Sequence, residues 1–235
     1  MLKARIKFKK YGALRFIGHL DVMRFFQKAI RRAHIPIAYT GGYSPHMIMS
    51  FANPLGIGIT SEGEYFDIEL KESISSQEAV ARLNEVMVEG MEVLSFRQIA
   101  EEKKMTGMAI VAAADYLLDP VPETLPAGWE TQISAFLAQP EIRIVKQTKR
   151  SEKEVDIKPL IYQMELQNEK IYMQLAAGSV ENLKPGLVME AFCRFLQTDP
   201  EGLKFSLCRL EMYADMGSDD TRDLIPLEAL GTEIA

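Results

Sequence analysis

All three histidines of the chain, His19, His34 and His46, fall in one 28-residue stretch near the N-terminus. That stretch also holds Arg24, Lys28, Arg31, Arg32 and the turn Gly41-Gly42-Tyr43-Ser44-Pro45-His46, with Arg15 just ahead of it. Imidazole titrates close to neutral pH, so His46 or His19, each with Asp21 as orienting carboxylate, form the candidate general acid–base pairs. The arginines and lysines suit a different task, the neutralising of phosphates. Paired glycines let backbone N–H groups turn toward an anion, and Tyr43 offers a ring for base stacking. A plain turn with Tyr43 packed as a lid would use the same residue types.

Other chemistry finds little support. His19 and His34 sit at opposite ends of one expected helix, about 22 Å apart at 1.5 Å per residue, so the three imidazoles cannot share an ion. No metal site is expected. Cys193 and Cys208 read as two buried thiols, too few for an iron–sulfur cluster with its roughly four thiolates. The chain has no GxSxG, no phosphate-binding P-loop and no full dinucleotide fingerprint, since Gly56-Ile57-Gly58 lacks the third glycine. No cofactor is expected.

Residues 1–50 carry ten Lys/Arg against the single acid Asp21, a balance of +9, while the other 185 residues carry −15 within a net charge of −6. That asymmetry points to a polyanion-facing surface on an otherwise acidic protein. A length of 235 residues, 47% hydrophobic, allows one large domain or two small ones. No apolar run approaches the roughly 20 residues that span a bilayer, and the alternating start is unlike a signal peptide. The expected location is cytoplasmic, away from membranes.

The elements that must position these side chains follow from periodicity. Residues 2–9 set Leu2, Ala4, Ile6 and Phe8 on one strand face and Lys3, Arg5, Lys7 and Lys9 on the other. A helix from Gly18 to His34 takes Leu20, Met23, Phe26 or Gln27, Ile30 and Ala33 as its core stripe. Beside it runs a second stripe of Asp21, Arg24, Lys28 and Arg31 or Arg32, and Pro36 forbids continuation. A short strand near Ile48–Phe51, a strand over Tyr65–Lys71, a helix opened by the capping box Ser75–Glu78 and a strand over Val93–Ile99 complete a split β-α-β order.

After the polar linker at 101–107 the grammar repeats. It gives a strand at Met108–Leu118, a helix at Gly128–Ala138, a strand at Ile142–Thr148, a hairpin of Ile161–Leu166 with Ile171–Ala176, a helix from Pro185 and a strand at Phe205–Tyr213. The expected class is α+β, two ferredoxin-like units with duplicated antiparallel sheets and helices on one face. Domain one spans 1–100 and domain two 108–213. An acidic tail, 214–235, with Asp215, Asp219, Asp220, Asp223, Glu228 and Glu233, is expected to be loosely ordered or a short terminal helix.

Read as one string, Arg15-Phe16-Ile17-Gly18-His19-Leu20-Asp21, then Arg24, Arg31-Arg32-Ala33, Pro36, Tyr39, Gly42 to His46, Ser50-Phe51, Pro54-Leu55-Gly56 and Glu64, the chain resembles the radical SAM-linked family of uncharacterised bacterial proteins. Val155 to Leu160 and Arg209-Leu210-Glu211 add to the likeness, while Ser44 and Met47 depart from the family's usual Asn and Pro. The resemblance implies a partner, a radical SAM enzyme, and no reaction of the chain's own.

The leading expectation is a non-catalytic RNA-binding accessory module that presents RNA to a radical SAM or other RNA-modifying enzyme. Its surface would comprise Lys7, Arg15, Arg24, Lys28, Arg31, Arg32, Tyr43 and Ser44. The alternative is a metal-independent endoribonuclease, by analogy with repeat-associated RNA-processing proteins, with His46 or His19 as base and Arg15 or Arg24 stabilising charge. A third reading is a protein-only docking subunit that binds through Met47–Ile59.

Overall fold

Period two at the N-terminus makes a strand with one apolar face. In a computed structural model, which describes residues 2–147, 152–218 and 221–235, strand β1 (Leu2–Lys10) buries Ala4, Ile6 and Phe8. Helix α1 (His19–Arg32) lays Val22, Phe26 and Ile30 over them and also buries Ala29. The Phe26 ring stands 4.6 Å from those of Phe8 and Phe66. Leu20, expected in the core stripe, is 59% exposed, and Met23 is half-buried. The true stripe starts at Val22; Phe26, Ile30 and Ala33 fit either phase, so the pattern alone left its N-terminal end ambiguous.

Strands β2 (Met49–Phe51), β3 (Thr60–Leu70) and β4 (Met91–Ile99) and helix α2 (Ser76–Asn84) complete the first half, with strand order β4-β1-β3-β2 and antiparallel neighbours throughout. The Ser75 hydroxyl caps α2 by accepting from the Glu78 N–H at 3.2 Å. The Glu78 carboxylate pairs with Arg82 instead of reaching back to the cap.

The second half opens with a single helical turn, α3 (Gly107–Ile110), where a strand was expected to begin, and continues as β5 (Val111–Pro120). Helix α4 (Ile133–Leu137) follows a 3-10 turn. Strands β6 (Arg143–Gln147) and β7 (Glu152–Asp156) pair apart from the main sheet; the expected strand end at Thr148 lies outside the described residues, and β7 was not foreseen. Strands β8 (Ile161–Gln167) and β9 (Lys170–Ala176), helix α5 (Pro185–Phe195) and strand β10 (Phe205–Asp215) follow as expected, in the order β10-β5-β9-β8.

The halves share a sheet. β3 and β10 run parallel and meet at Thr60–Cys208 and Ser61–Arg209, giving nine strands among the described residues. The fold is thus α+β with one large mixed sheet. Gly63 makes the close approach possible, because a Cβ there would stand 2.8 Å from the Leu210 carbonyl oxygen.

Beyond β10 the chain turns back. Strand β11 (Leu224–Pro226) pairs with β10, Leu227 is fully buried, and Thr232 exchanges backbone hydrogen bonds with Gln98. The last dozen residues are therefore docked by a strand and a 3-10 turn rather than loose, while Asp219 and Asp220 lie outside the described residues. Among the described residues no helix is long and apolar enough to cross a membrane.

Candidate functional site

The basic face of β1 is neutralised within the molecule. Arg5 donates to both carboxylate oxygens of Asp67, at 2.8 and 3.0 Å, and to the carbonyls of Met105 and Leu227. Lys7 Nζ lies 2.7 Å from Glu211 and 2.9 Å from Glu228. Burial works against the Lys7 ammonium, but these two carboxylates outweigh it and hold its pKa above the ordinary lysine value. Lys3 faces Glu69 and Lys9 faces Glu62. Lys7, expected to meet RNA phosphates, instead has its charge paired by β10 and the returning C-terminal turn.

The cations of α1 are placed differently. Arg24, Lys28, Arg31 and Arg32 are all exposed along one 14-residue helix. Arg24 makes an open pair with Asp21 at 3.5 Å, both groups more than 60% exposed. Among the described residues no carboxylate pairs with Lys28, Arg31 or Arg32. Arg15 is half-buried; its guanidinium lies 4.7 Å from the exposed Phe16 ring, and its carbonyl accepts from Gly58.

Beyond the helix, the turn at 41–46 projects from a narrow backbone ladder. Tyr39 bridges Met47, and Thr40 N–H donates to the His46 carbonyl. Gly42 takes φ +99°, a value that favours glycine. Tyr43 is fully in solvent and Ser44 is exposed, so Tyr43 is no lid.

The expected acid–base pairs are not assembled. His46 is exposed, with Nδ1 3.1 Å from the Thr40 hydroxyl. His19 packs edge-on to Phe51, centroids 5.0 Å apart. Among the described residues neither imidazole hydrogen-bonds to Asp21, whose carboxylate faces Arg24. Among the same residues no group of three His, Cys, Asp or Glu side chains converges as a metal site. Cys193 is buried and Cys208 only half-buried, and burial pushes both thiols upward in pKa.

Sequence reasoning missed a charged cluster at the seam. A β-bulge between Arg209 and Glu211, opposite Tyr116 and Asp115 of β5, inserts Leu210 as an extra residue. Residues 209 and 211 would otherwise share a face; the bulge sends them to opposite ones. Arg209 Nε donates to Glu64 at 2.8 Å and Nη2 to the Asn53 carbonyl at 2.7 Å. Glu211 instead accepts from Tyr65 Oη at 2.6 Å. Behind Glu64, the 2%-exposed Lys10 has one long hydrogen bond, 3.4 Å to the Ile17 carbonyl. Burial lowers the pKa of its ammonium. The usable signal was a charged side chain inside an apolar strand, since buried charges are rare unless paired.

A family model described as "Uncharacterized protein conserved in bacteria (DUF2344)" matches residues 3–185. None of the curated proteins matches. The chain is similar to one in a solved structure titled "Crystal Structure of a Cbf5-Nop10-Gar1 Complex", with TM-score 0.47 and 11% identity. The match covers 89% of this chain and 48% of that one, so the chain spans about half its length.

Proposed function

The chain belongs to that bacterial family, and we propose that it works in the cytoplasm as a non-catalytic RNA-binding module that presents RNA to a modifying enzyme. The observation that carries the reading is the row of exposed cations on α1, of which Lys28, Arg31 and Arg32 have no carboxylate partner among the described residues. A molecule of net charge −6 that pairs off its strand cations yet leaves this helix uncompensated keeps a local electrostatic footprint for phosphates. The solvent-exposed Tyr43 supplies a stacking ring beyond the end of the same helix. The two strand orders, β4-β1-β3-β2 and β10-β5-β9-β8, support a duplicated ferredoxin-like unit as the scaffold. The resemblance carried by residues 15–64 makes a radical SAM enzyme the proposed partner. Among the described residues neither histidine is paired to Asp21, so the nuclease alternative, with His46 or His19 as base and Arg15 or Arg24 stabilising charge, gains no orienting carboxylate from that residue.

The test is fluorescence anisotropy of a labelled single-stranded RNA against the full chain over a salt series. Arg24→Ala with Arg31→Ala is expected to weaken binding and to flatten the log–log salt slope by about 0.7 for each phosphate left unneutralised. An unchanged slope in the double variant, or no binding by the parent chain at low salt, overturns the reading. RNA cleavage in the presence of EDTA would move it to the enzyme class.

A further inference from the structure

We propose that the cleft at the seam of the two halves is a binding site for a small organic anion with an apolar body, an alkyl or aryl carboxylate or monophosphate. The cleft encloses about 550 Å³ between the loop at 53–59 and the start of α5, within the range of small-molecule sites, roughly 300–1,000 Å³. Leu55, Ile57 and Ile59 line one side and Leu187 and Leu207 the other. Apolar walls alone would not name a ligand; the charges do.

Arg209 and Tyr116 also line the cleft, and Lys184 stands at the helix start. Behind them, buried Glu64 is outnumbered by the buried cations Arg209 and Lys10. The excess positive charge sits where water screens it poorly, so it favours an anion over a neutral or cationic guest. Helix α5 is 11 residues long, and its N-cap, Lys184, gives no capping hydrogen bond from its side chain. Pro185 and Gly186 open its first turn, and Gly186 lines the cleft with no side chain to obstruct approach. The positive end of the helix dipole thus reinforces Arg209 and Lys184, the two cations that line the same cleft.

The loop that forms the opposite wall is preformed. Its first carbonyl, Asn53, is held by Arg209 at 2.7 Å, and Gly58 N–H is held by the Arg15 carbonyl at 2.8 Å. Little ordering cost remains for a ligand to meet. The assignment does not depend on RNA binding by α1.

The test uses the full chain and the fluorescent probe anilinonaphthalene sulfonate, itself an apolar aryl anion. Saturable one-site binding is expected, with octanoate displacing the probe and octylammonium failing to do so. Adenosine monophosphate as a second competitor separates an alkyl carboxylate ligand from a nucleotide one. Lys184→Glu and Ile57→Asp alter exposed side chains, and each is expected to weaken the probe at least about tenfold with unchanged thermal unfolding. Equal displacement by octanoate and octylammonium, or probe affinity untouched by both substitutions, overturns the proposal. Octanoate should leave RNA affinity unchanged, so the two sites fail or succeed separately.

Discussion

Arg209 and Glu211 lie two positions apart in one strand yet serve opposite faces of the sheet, and the single inserted residue between them decides this. Buried pairs of this kind contribute little over an apolar replacement, but breaking one leaves an uncompensated charge. Arg209→Met should therefore cost about 3–5 kcal/mol in urea unfolding, and Arg209→Met with Glu64→Leu and Lys10→Met, which removes all three buried charges, should recover most of that loss. Equal losses in the single and triple variants would mean the three side chains do not act as a cluster. At this scale the sequence was legible for residue types and poor for partners. The cations of β1 stand out by alternation, but Arg5 finds its carboxylate 62 positions away and Lys7 finds one 204 positions away. No local pattern carries such distances, so residues that read as a polyanion surface proved to be half internal wiring, and the cation that holds the seam together was named only as part of a family string.

Secondary elements were legible where a period had room to repeat. β1, α1, α2, β8, β9, α5 and β10 are long enough for two or more turns or alternations, and each occurs where its pattern predicts. α3 and β7, of four and five residues, are too short to establish a period. Within α1 the ambiguity of phase is itself testable. Phe26→Ala should lose about 3–5 kcal/mol, the usual loss for a buried aromatic, whereas Leu20→Ala should stay within about 0.5 kcal/mol; a larger loss at Leu20 would restore the stripe read from sequence. At the seam, Gly63→Ala should destabilise both halves together in a thermal melt, because the added methyl collides with the Leu210 carbonyl on β10. Selective loss of one half would show that the contact is not shared.

For the molecule as a whole, the charge imbalance between the first 50 residues and the rest is partly resolved by folding. The returning C-terminal segment places Glu228 on Lys7 and near Arg97, with Glu233 also near Arg97. Glu228→Ala should uncover part of the strand's positive face and lengthen retention on heparin; unchanged retention would mean the face stays covered. Burial raises the pKa of Glu228, but hydrogen bonds with Lys7 and Ser95 and the charges of Lys7 and Arg97 outweigh it, leaving the carboxyl below its ordinary 4.5. A depressed folded-state pKa stabilises above the unfolded value and ceases to as pH falls through the folded one. Hydrogen exchange at the Gln98 and Thr232 amides, corrected for intrinsic rate, should therefore accelerate as pH drops below 4.5 and not on the alkaline side. The parallel join between β3 and β10 also dictates a timetable. Its partners are separated by 148 positions, as in the Ser61–Arg209 hydrogen bond, so a nascent chain leaving the ribosome presents β3 long before β10 exists. Until then Glu64 lacks the guanidinium that meets it in the folded chain, and translation has yet to deliver it.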